Sequence, residues 1–258
     1  MSAAKNRVAL LDEFRGFCVL CMIFYHSFIF MYNQYGISFG YRAYSFFTPV
    51  QPFFSCAFMW VCGICCRLSH SNLKRGLKLL VLALLLNFVS IVVLPKLGFV
   101  ETEIWFGILD FLSLCILLFA LLEKPVSRIN PIVGSIICVL LMWIFRNWLS
   151  EGTVSLFGNI AYTLPEKVHE IEWLFPFGIT SRGFFSADYF PLIPYMFVFF
   201  WGTFLGEYVR DGKIPRFMYP VRVPFLVWLG THALLVYILH LPVIYVLLEL
   251  YQWIVSNV

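Results

Sequence analysis

The chain has 258 residues, of which 61% are hydrophobic and only 12% are charged, and its formal net charge is +4. A soluble domain is about 45–50% apolar and about a quarter charged, so this composition is typical of an integral membrane protein. The sequence lacks the regular alternation of polar and apolar residues that transmembrane strands require. It therefore predicts an all-α, polytopic membrane helix bundle that forms a single domain over residues 1–258. Nothing in the charge balance implies a nucleic-acid partner.

Seven apolar stretches are long enough to cross a hydrocarbon layer of ~30 Å, and they lie at residues 10–32, 48–66, 77–95, 104–122, 131–149, 188–209 and 226–254. Pro242 is expected to kink or divide the last stretch. With a cytoplasmic N-terminus, thirteen of the eighteen Lys and Arg residues fall in inner segments and five in outer ones. Because positive charge favours the cytoplasmic side, the sequence predicts a multi-pass protein of the inner (cytoplasmic) membrane with its N-terminus inside and its C-terminus outside.

One connection between the predicted spans is long, and it covers residues 150–187 on the outer face. It combines acidic residues with an aromatic segment, Trp173 to Gly178, that is too apolar to float free in water. A long ordered loop in a compact protein is often a lid or a binding loop. We therefore expect this loop to lie on the outer interface and to cover a binding site.

The first span carries ionisable residues at both ends of its apolar run. Asp12 and Arg15 lie in its first turn, and His26 lies eleven positions beyond Arg15. A helix places Arg15 and His26 on nearly the same face, about 16 Å apart along the axis. An ionisable group inside a membrane is a functional candidate, and a neutral imidazole can act as a general base. The structural alternatives are a hydrogen-bonded buried histidine and an interfacial ion pair at the helix start.

The last span contains two histidines, His232 and His240, with Tyr237 between them. On one continuous helix, a separation of eight residues would place the two imidazoles within ~80° of each other. One such histidine has an ordinary structural explanation as a hydrogen-bonded core residue. Two histidines and a tyrosine on one apolar helix favour a role in substrate chemistry.

The outer start of the sixth span is marked by Asp188, which is followed by Pro191. This pattern is typical of a helix start, and the carboxylate either caps the helix or orients an imidazole or a polar acceptor. Arg182 precedes Asp188 by six residues and is a candidate partner for it. Within the spans, Asn87 is expected to hydrogen-bond to a neighbouring helix, whereas Asp110 fits either a structural or a functional role.

The densest basic patch, Lys74, Arg75 and Lys78, lies at the start of the third span. Topology alone explains these charges, but they also suit the phosphates of a nucleotide-bearing donor such as coenzyme A. The eight cysteines include two C-x-x-C pairs that begin at Cys18 and Cys62. Neither pair has a histidine or an acid at ligand spacing, so we interpret these cysteines as small buried residues and predict no metal site.

Four segments in the same order resemble the catalytic domain of the heparan-alpha-glucosaminide N-acetyltransferase family, and more distantly the acyltransferase-3 group of transmembrane acyltransferases. They are Arg7 to Gly16 followed by His26, Phe106 to Leu109, Phe185 to Pro194, and Gly230 to His240. The similarity extends from about residue 7 to about residue 245.

This resemblance implies transfer of an acetyl or other acyl group from cytoplasmic acyl-CoA, held in a central tunnel, to a hydroxyl or amine of an extracytoplasmic sugar. Acyl-CoA would be a co-substrate, and no permanently bound cofactor is expected. The predicted catalytic residues are His26 as the base, Asp188 and His240. The predicted donor- or substrate-binding residues are Asp12, Arg15, Lys74, Arg75, Arg182, Tyr189, His232 and Tyr237. In that family the catalytic histidine lies in the loop after the first helix. The corresponding loop here, Asn33 to Ser45, contains no histidine, which favours direct transfer over an acetyl-histidine at that place.

Two other functions fit the same residues. A transporter or flippase of a polar lipid or glycan would use the buried histidine, aspartate and arginine groups to bind substrate or relay protons. A degenerate family member would act only as an assembly partner. Binding of coenzyme A discriminates the enzyme from both. The predicted partners are the lipid bilayer, acyl-CoA, an extracytoplasmic sugar or glycan, and a second copy of the chain in a homodimer.

Overall fold

The computed structural model describes residues 7–98, 102–156 and 159–256, which are mostly helical. In chain order the helices are α1 (Ala9–Asn33), α2 (Ser38–Phe47), α3 (Gln51–Cys66), α4 (Asn72–Phe88), α5 (Leu94–Lys96), α6 (Ile108–Val126), α7 (Pro131–Ile144), α8 (Trp148–Glu151), α9 (Leu192–Arg210), α10 (Pro224–Thr231) and α11 (Ala233–Ser256). A π-helix, Val89–Val93, joins α4 to α5.

The described residues form two compact units. The first contains those of Met1–Val61 and Ile214–Val258, and the second contains those of Cys62–Lys213. The helical fold class is confirmed, and the single-domain organisation stays a prediction.

In the first unit, α1 crosses α10 where both helices carry glycine. A Cβ atom on Gly16 would lie 2.0 Å from the carbonyl oxygen of Leu226, and one on Gly230 would lie 1.9 Å from that of Asp12. No residue larger than glycine fits either position without separating the helices. Small residues at such a crossing let two helix backbones approach closely, which is typical of helix pairs in membranes.

The contacts between α1 and the α10–α11 segment follow the same order along both. They run from Glu13 with Arg222 near the start of α1 to Tyr35 with Glu249 just beyond its end. The first and last long helices of this unit are therefore parallel.

Helix α2 turns back along the C-terminal half of α1. Gly40 packs against Met31, and the ring of Phe47 lies 6.5 Å from that of Phe24. Helix α3 then continues at an angle of 56° to α2. The second span was predicted at residues 48–66. In the structure the helical segment begins earlier, at Ser38, because α2 precedes α3 and only Thr48–Val50 separate the two helices.

In the second unit, α4 packs antiparallel to α6. Gly76 near the start of α4 lies against Leu117, and Asn87 near its end donates a 3.0 Å hydrogen bond to Asp110. Asp110 also accepts a 2.9 Å bond from the backbone N–H of Gly107, at the beginning of α6. The prediction that Asn87 joins two helices is confirmed, and Asp110 is its partner.

Helices α7 and α9 are also antiparallel. Gly134 at the start of α7 lies against Phe204, and the ring of Phe145, just after its end, lies 5.6 Å from that of Phe197.

Helices α6 and α9, in contrast, run parallel. The rings of Phe111 and Tyr195 lie 6.4 Å apart near the two starts, and those of Phe119 and Phe200 lie 6.4 Å apart further along.

Arg67, immediately after α3, is a buried cation that holds three parts of the second unit together. Its side chain is 0% exposed and lies 2.9 Å from Glu207 of α9. It also donates to the carbonyl of Thr203 at 3.1 Å and to the hydroxyl of Ser127 at 2.5 Å. From the sequence, Arg67 is only one of the inner positive charges, but its contacts give it a structural role.

The long connection after α8 is ordered. It contains an antiparallel hairpin of β1 (Thr153–Leu156) and β2 (Asn159–Thr163), followed by 3-10 helices at Glu166–Glu170 and Glu172–Phe177. The hairpin is a departure from the all-α prediction. The role of this loop as a lid stays a prediction.

Within the described residues, five segments are long and apolar enough to cross a membrane, and the bent α2–α3 pair adds a sixth. The five are Ala9–Asn33, Asn72–Lys96, Pro131–Glu151, Leu192–Arg210 and Ala233–Ser256. Helix α6 is nineteen residues long but carries three charged residues, Asp110, Glu123 and Lys124, and is not among them.

The last predicted span is divided, but not at the expected residue. Helix α10 ends at Thr231 and α11 begins at Ala233, so the break falls at His232. Pro242 lies inside α11. The prediction that Pro242 divides the stretch is therefore wrong, whereas a kink at Pro242 stays a prediction. His232 lies at the break and does not share one continuous helix with His240.

Candidate functional site

Two histidines from opposite ends of the sequence meet in the first unit. The Nδ1 atom of His26 on α1 lies 3.0 Å from the Nε2 atom of His240 on α11, and the ring centroids are 5.0 Å apart. His240 is 6% exposed and His26 is half-buried. At this distance the two nitrogens share a hydrogen bond, in which one donates and the other accepts. We refer to these two residues as the histidine pair.

The surroundings of the histidine pair fix both rings. Tyr25 presents its ring to His26 at a centroid distance of 5.6 Å. The backbone carbonyl of Tyr237 lies 2.6 Å from Nδ1 of His240, and the Tyr237 ring lies 5.6 Å from the same imidazole. Tyr237 was predicted to bind substrate, and the structure gives its carbonyl a direct contact with the histidine pair.

The beginning of α1 carries a compact group of charges. Arg15 lies 3.6 Å from Asp12 and donates a 3.3 Å bond to the carbonyl of Gly230, while Arg7 lies 2.6 Å from Asp12. Arg15 and His26 therefore both contact the α10–α11 segment, as their predicted position on one helix face requires.

Glu13 is a further residue of this region that the sequence did not predict. It is 6% exposed, and its Oε1 accepts the backbone N–H groups of Arg222 at 2.5 Å and Val223 at 2.9 Å. These groups precede the first turn of α10, whose N–H groups have no partner within the helix. Glu13 thus ties the start of α10 to α1 and helps set the register that brings the histidine pair together. The only signal in the sequence was a second acid beside Asp12.

His232 occupies the break between α10 and α11, where it is exposed. Its Nδ1 lies 2.9 Å from the carbonyl of Trp228, and its ring lies 5.0 Å from the Trp228 ring. Because His232 lies at the break and not on one continuous helix with His240, the ~80° relation between the two imidazoles stays a prediction.

Asp188, in the second unit, caps a helix other than the one it precedes. Its Oδ2 accepts the backbone N–H of Ile108 at 3.0 Å, at the first residue of α6. The chain around Asp188 lies beside the chain that enters α6, where the N–H of Phe190 donates to the carbonyl of Phe106 at 3.1 Å. The sequence pattern suggested a cap of the following helix, and the pairing of the two segments redirects the carboxylate.

Two neighbouring candidates lie in the same connection. The hydroxyl of Tyr189 donates a 2.6 Å bond to the carbonyl of Phe175 and thereby fastens the second 3-10 helix. Arg182 is exposed in a turn before Asp188.

Lys74 and Arg75 lie in the first turn of α4. The hydroxyl of Ser71 accepts the backbone N–H of Lys74 at 3.4 Å, and the Arg75 guanidinium lies 4.0 Å from the sulfur of Cys66. The positive end of the helix dipole and two cations thus coincide, an arrangement that favours an anionic ligand.

A surface cavity of about 440 Å³ lies at the α1–α2 corner of the first unit. It is lined by Tyr32, Gly36, Ser38, Tyr41 and Arg42. Tyrosine rings, a hydroxyl and a guanidinium combine an apolar surface with hydrogen-bond donors, which suits a polar organic ligand. The corner lies toward the end of α1 opposite to Arg15.

Apolar helices with a histidine pair between the first and last of them define a helical membrane protein with a candidate site built on α1 and α11. Over residues 7–242 the sequence matches the catalytic region of heparan-alpha-glucosaminide N-acetyltransferase, and the chain belongs to this family. Comparisons with curated proteins and with solved structures find no match. Both members of the histidine pair lie inside the matched range. The predicted resemblance to this family is confirmed, and the more distant relation to the acyltransferase-3 group stays a prediction.

Proposed function

We propose that the protein is a transmembrane acyltransferase that moves an acetyl or other acyl group from cytoplasmic acyl-CoA to a hydroxyl or amine of an extracytoplasmic sugar or glycan. The observation that carries this proposal is the 3.0 Å contact between His26 and His240 in a chain of an N-acetyltransferase family. Membership of the family supports acetyl transfer. The donor, the acceptor and the residue roles are our proposals.

The chemistry needs a base that removes a proton from the acceptor. The acceptor oxygen or nitrogen attacks the thioester carbonyl, and His26 takes its proton as the new bond forms. The tetrahedral intermediate then collapses, the carbon–sulfur bond breaks, and coenzyme A leaves as the thiolate, which is protonated to the thiol. No acyl-enzyme is required, in keeping with direct transfer.

The donor is proposed to enter from the end of α1 that carries Arg15 and Asp12. Eleven residues of helix separate Arg15 from His26 by about 16 Å, so the flexible pantetheine arm extends along α1 while its phosphates stay with the cations. Lys74 and Arg75 stay proposed phosphate ligands on the basis of their charge. The acceptor is proposed to arrive at the opposite end of α1, where the α1–α2 cavity offers it an entry surface. Asp188 and the loop after α8 stay proposed acceptor contacts on the basis of the sequence alone.

The helix directions support seven spans. Parallel α1 and α11 must cross the bilayer in the same direction, so the number of crossings between them is odd. Helix α6 runs antiparallel to α4 and parallel to α9, as a complete span would. If α6 crosses, the bent α2–α3 pair must also cross for α1 and α11 to stay parallel. Seven spans satisfy every one of these relations. With seven spans, the charge distribution supports our proposal of a cytoplasmic N-terminus in an inner membrane.

Binding of the donor is the first test. Full-length protein in lipid nanodiscs is expected to gain thermal stability with acetyl-CoA and with free coenzyme A, but not with adenosine. Arg15→Gln is expected to weaken the shift, and Arg146→Gln, which removes an exposed cation stacked on Trp143, serves as the matched control. The absence of any shift with acetyl-CoA would exclude the enzyme and favour the transporter alternative.

Turnover is the second test. Release of free coenzyme A from acetyl-CoA is measured with a panel of amino and neutral sugars as acceptors. His26→Ala is expected to keep the acetyl-CoA thermal shift but to lose turnover by about 10²-fold or more. His70→Ala, which removes an exposed histidine, should change neither. Wild-type turnover in His26→Ala would contradict the assignment of His26 as the general base.

A further inference from the structure

We infer that His240 holds His26 in the tautomer whose Nε2 is free to accept a proton, and that the proton displaced from His26 passes to His240. This inference rests on the proposed acyl transfer and assigns His240 a positioning and proton-holding role, while His26 is the residue that meets the acceptor. It is carried by the two hydrogen bonds that His240 makes, one at each ring nitrogen.

The first step concerns Nδ1 of His240. Its neighbour at 2.6 Å is the backbone carbonyl oxygen of Tyr237. A carbonyl oxygen can only accept, so Nδ1 of His240 must carry a hydrogen. Because this carbonyl belongs to the backbone of α11, the choice does not depend on the orientation of any other side chain.

The hydrogen on Nδ1 of His240 also determines the tautomer of His26. A neutral imidazole has one N–H, so Nε2 of neutral His240 carries the lone pair and accepts. The 3.0 Å contact then requires Nδ1 of His26 to donate. The remaining nitrogen, Nε2 of His26, is left with the lone pair. The backbone of α11 therefore selects the basic atom of a residue on α1.

The proton balance follows from this arrangement. Nε2 of His26 takes the proton of the acceptor while its Nδ1 proton moves to Nε2 of His240. His26 stays neutral in its other tautomer, and the positive charge lies on His240, whose Nδ1–H points at the Tyr237 carbonyl. After the carbon–sulfur bond breaks, the proton returns through His26 to the thiolate sulfur. The pair ends in its starting state, and the net products are the acylated acceptor and coenzyme A.

The tautomers are tested directly by nitrogen NMR. Full-length protein in nanodiscs is labelled with 15N-histidine, and the signals are assigned by single substitution of each of the five histidines. At neutral pH we expect His26 and His240 both to be protonated at Nδ1 and unprotonated at Nε2. A scalar coupling across the hydrogen bond between Nδ1 of His26 and Nε2 of His240 is also expected. Protonation of His26 at Nε2 in the neutral pair would overturn the inference.

Two substitutions separate positioning from proton transfer. The side-chain oxygen of His240→Gln can accept from His26 Nδ1 but cannot take the proton, whereas His240→Leu offers no acceptor. We expect His240→Gln to keep the His26 tautomer and to lower kcat by about 10²-fold with little change in KM. His240→Leu is expected to lose the tautomer as well and to lower kcat further. His70→Gln is the matched control for both measurements.

The outcomes distinguish this inference from the proposed function. Wild-type kcat in His240→Gln would overturn the proton transfer even with the tautomer intact. If wild-type protein shows the expected tautomers but never releases coenzyme A from acetyl-CoA, the acyltransferase proposal fails, and with it the transfer step, while the tautomer assignment stands.

Discussion

The hydroxyl of Tyr35 donates a 3.0 Å hydrogen bond to Glu249, and these two residues are separated by 214 positions, as are His26 and His240. The register between α1 and α11 is thus constant beyond the histidine pair. Burial and the bond to Glu249 raise the pKa of Tyr35 to about 12, so Tyr35 keeps its proton and donates at neutral pH. The usual tyrosine pKa is about 10. The contribution of the Tyr35–Glu249 hydrogen bond to the stability of the folded protein is therefore complete below pH ~10, and it is lost as the pH rises through the pKa of Tyr35 in the folded state.

The same register predicts a further contact. Val19 and Ala233 are also 214 positions apart, and both are buried, at 3% and 8% exposure. In a background in which Cys18 and Cys21 are alanine, Val19→Cys with Ala233→Cys is expected to form an intramolecular disulfide on mild oxidation, detected by mass spectrometry.

Helix geometry supplies the control for this cross-link. Leu234 follows Ala233 but lies about 100° around the helix and is 44% exposed. Val19→Cys with Leu234→Cys should not cross-link. Efficient cross-linking of this second pair, without the first, would contradict the register.

The glycine crossing should be intolerant of a single methyl group. Gly230→Ala places a Cβ against the carbonyl oxygen of Asp12, so α1 and α10 must separate. Overpacking of this kind costs about 1–3 kcal/mol, and the separation also loosens the histidine pair. We expect a lower unfolding temperature by tryptophan fluorescence together with reduced turnover. Phe225 lies on the same helix and is 57% exposed. Phe225→Ala removes more atoms than Gly230→Ala adds, but it should lower the unfolding temperature and the turnover less.

Glu13 should contribute mainly as a hydrogen-bond acceptor. Both bonds from Arg222 and Val223 end on one oxygen, so Glu13→Gln can retain an acceptor there. Glu13→Ala leaves both N–H groups without it and is expected to cost about 1–3 kcal/mol. Thermal unfolding should therefore rank wild type above Glu13→Gln, and Glu13→Gln above Glu13→Ala. Glu170→Ala, at an exposed site, is the control, and an equal loss in both Glu13 variants would show that charge matters more than acceptor geometry.

The sequence predicted most of the helices and one face of the site. Hydrophobic length marks a helix without knowledge of its neighbours, and the spacing of Arg15 and His26 follows from helix geometry alone. The break at His232 was not predicted in this way, because apolar length alone does not mark it. Gly230, a weak helix former two residues before the break, lies inside α10. Pro242 is the stronger breaker in principle, yet it is accommodated within α11.

The contacts between distant segments were also beyond the sequence. In the sequence, Arg67 cannot be distinguished from the other inner cations. Its burial depends on contacts with Thr203 and Glu207, about 140 residues away. The contact between His26 and His240 likewise depends on the packing of two segments that are distant in the sequence. Each histidine was identified from its own apolar surroundings, but periodicity within one helix carries no information on the register between two.

Asp188 provides a test that separates a helix cap from a catalytic carboxylate. Asp188→Asn keeps an oxygen for the N–H of Ile108 but loses the charge, whereas Asp188→Ala loses both. We expect Asp188→Asn to unfold close to the wild-type temperature and Asp188→Ala to lose about 1 kcal/mol, the usual cost of a missing cap. Because the proposed acceptor contact needs the carboxylate, release of coenzyme A should fall in both variants. Asp211→Asn, in an exposed turn after α9, should leave turnover unchanged. Full turnover in Asp188→Asn would reduce Asp188 to the cap of α6 and remove it from the proposed mechanism.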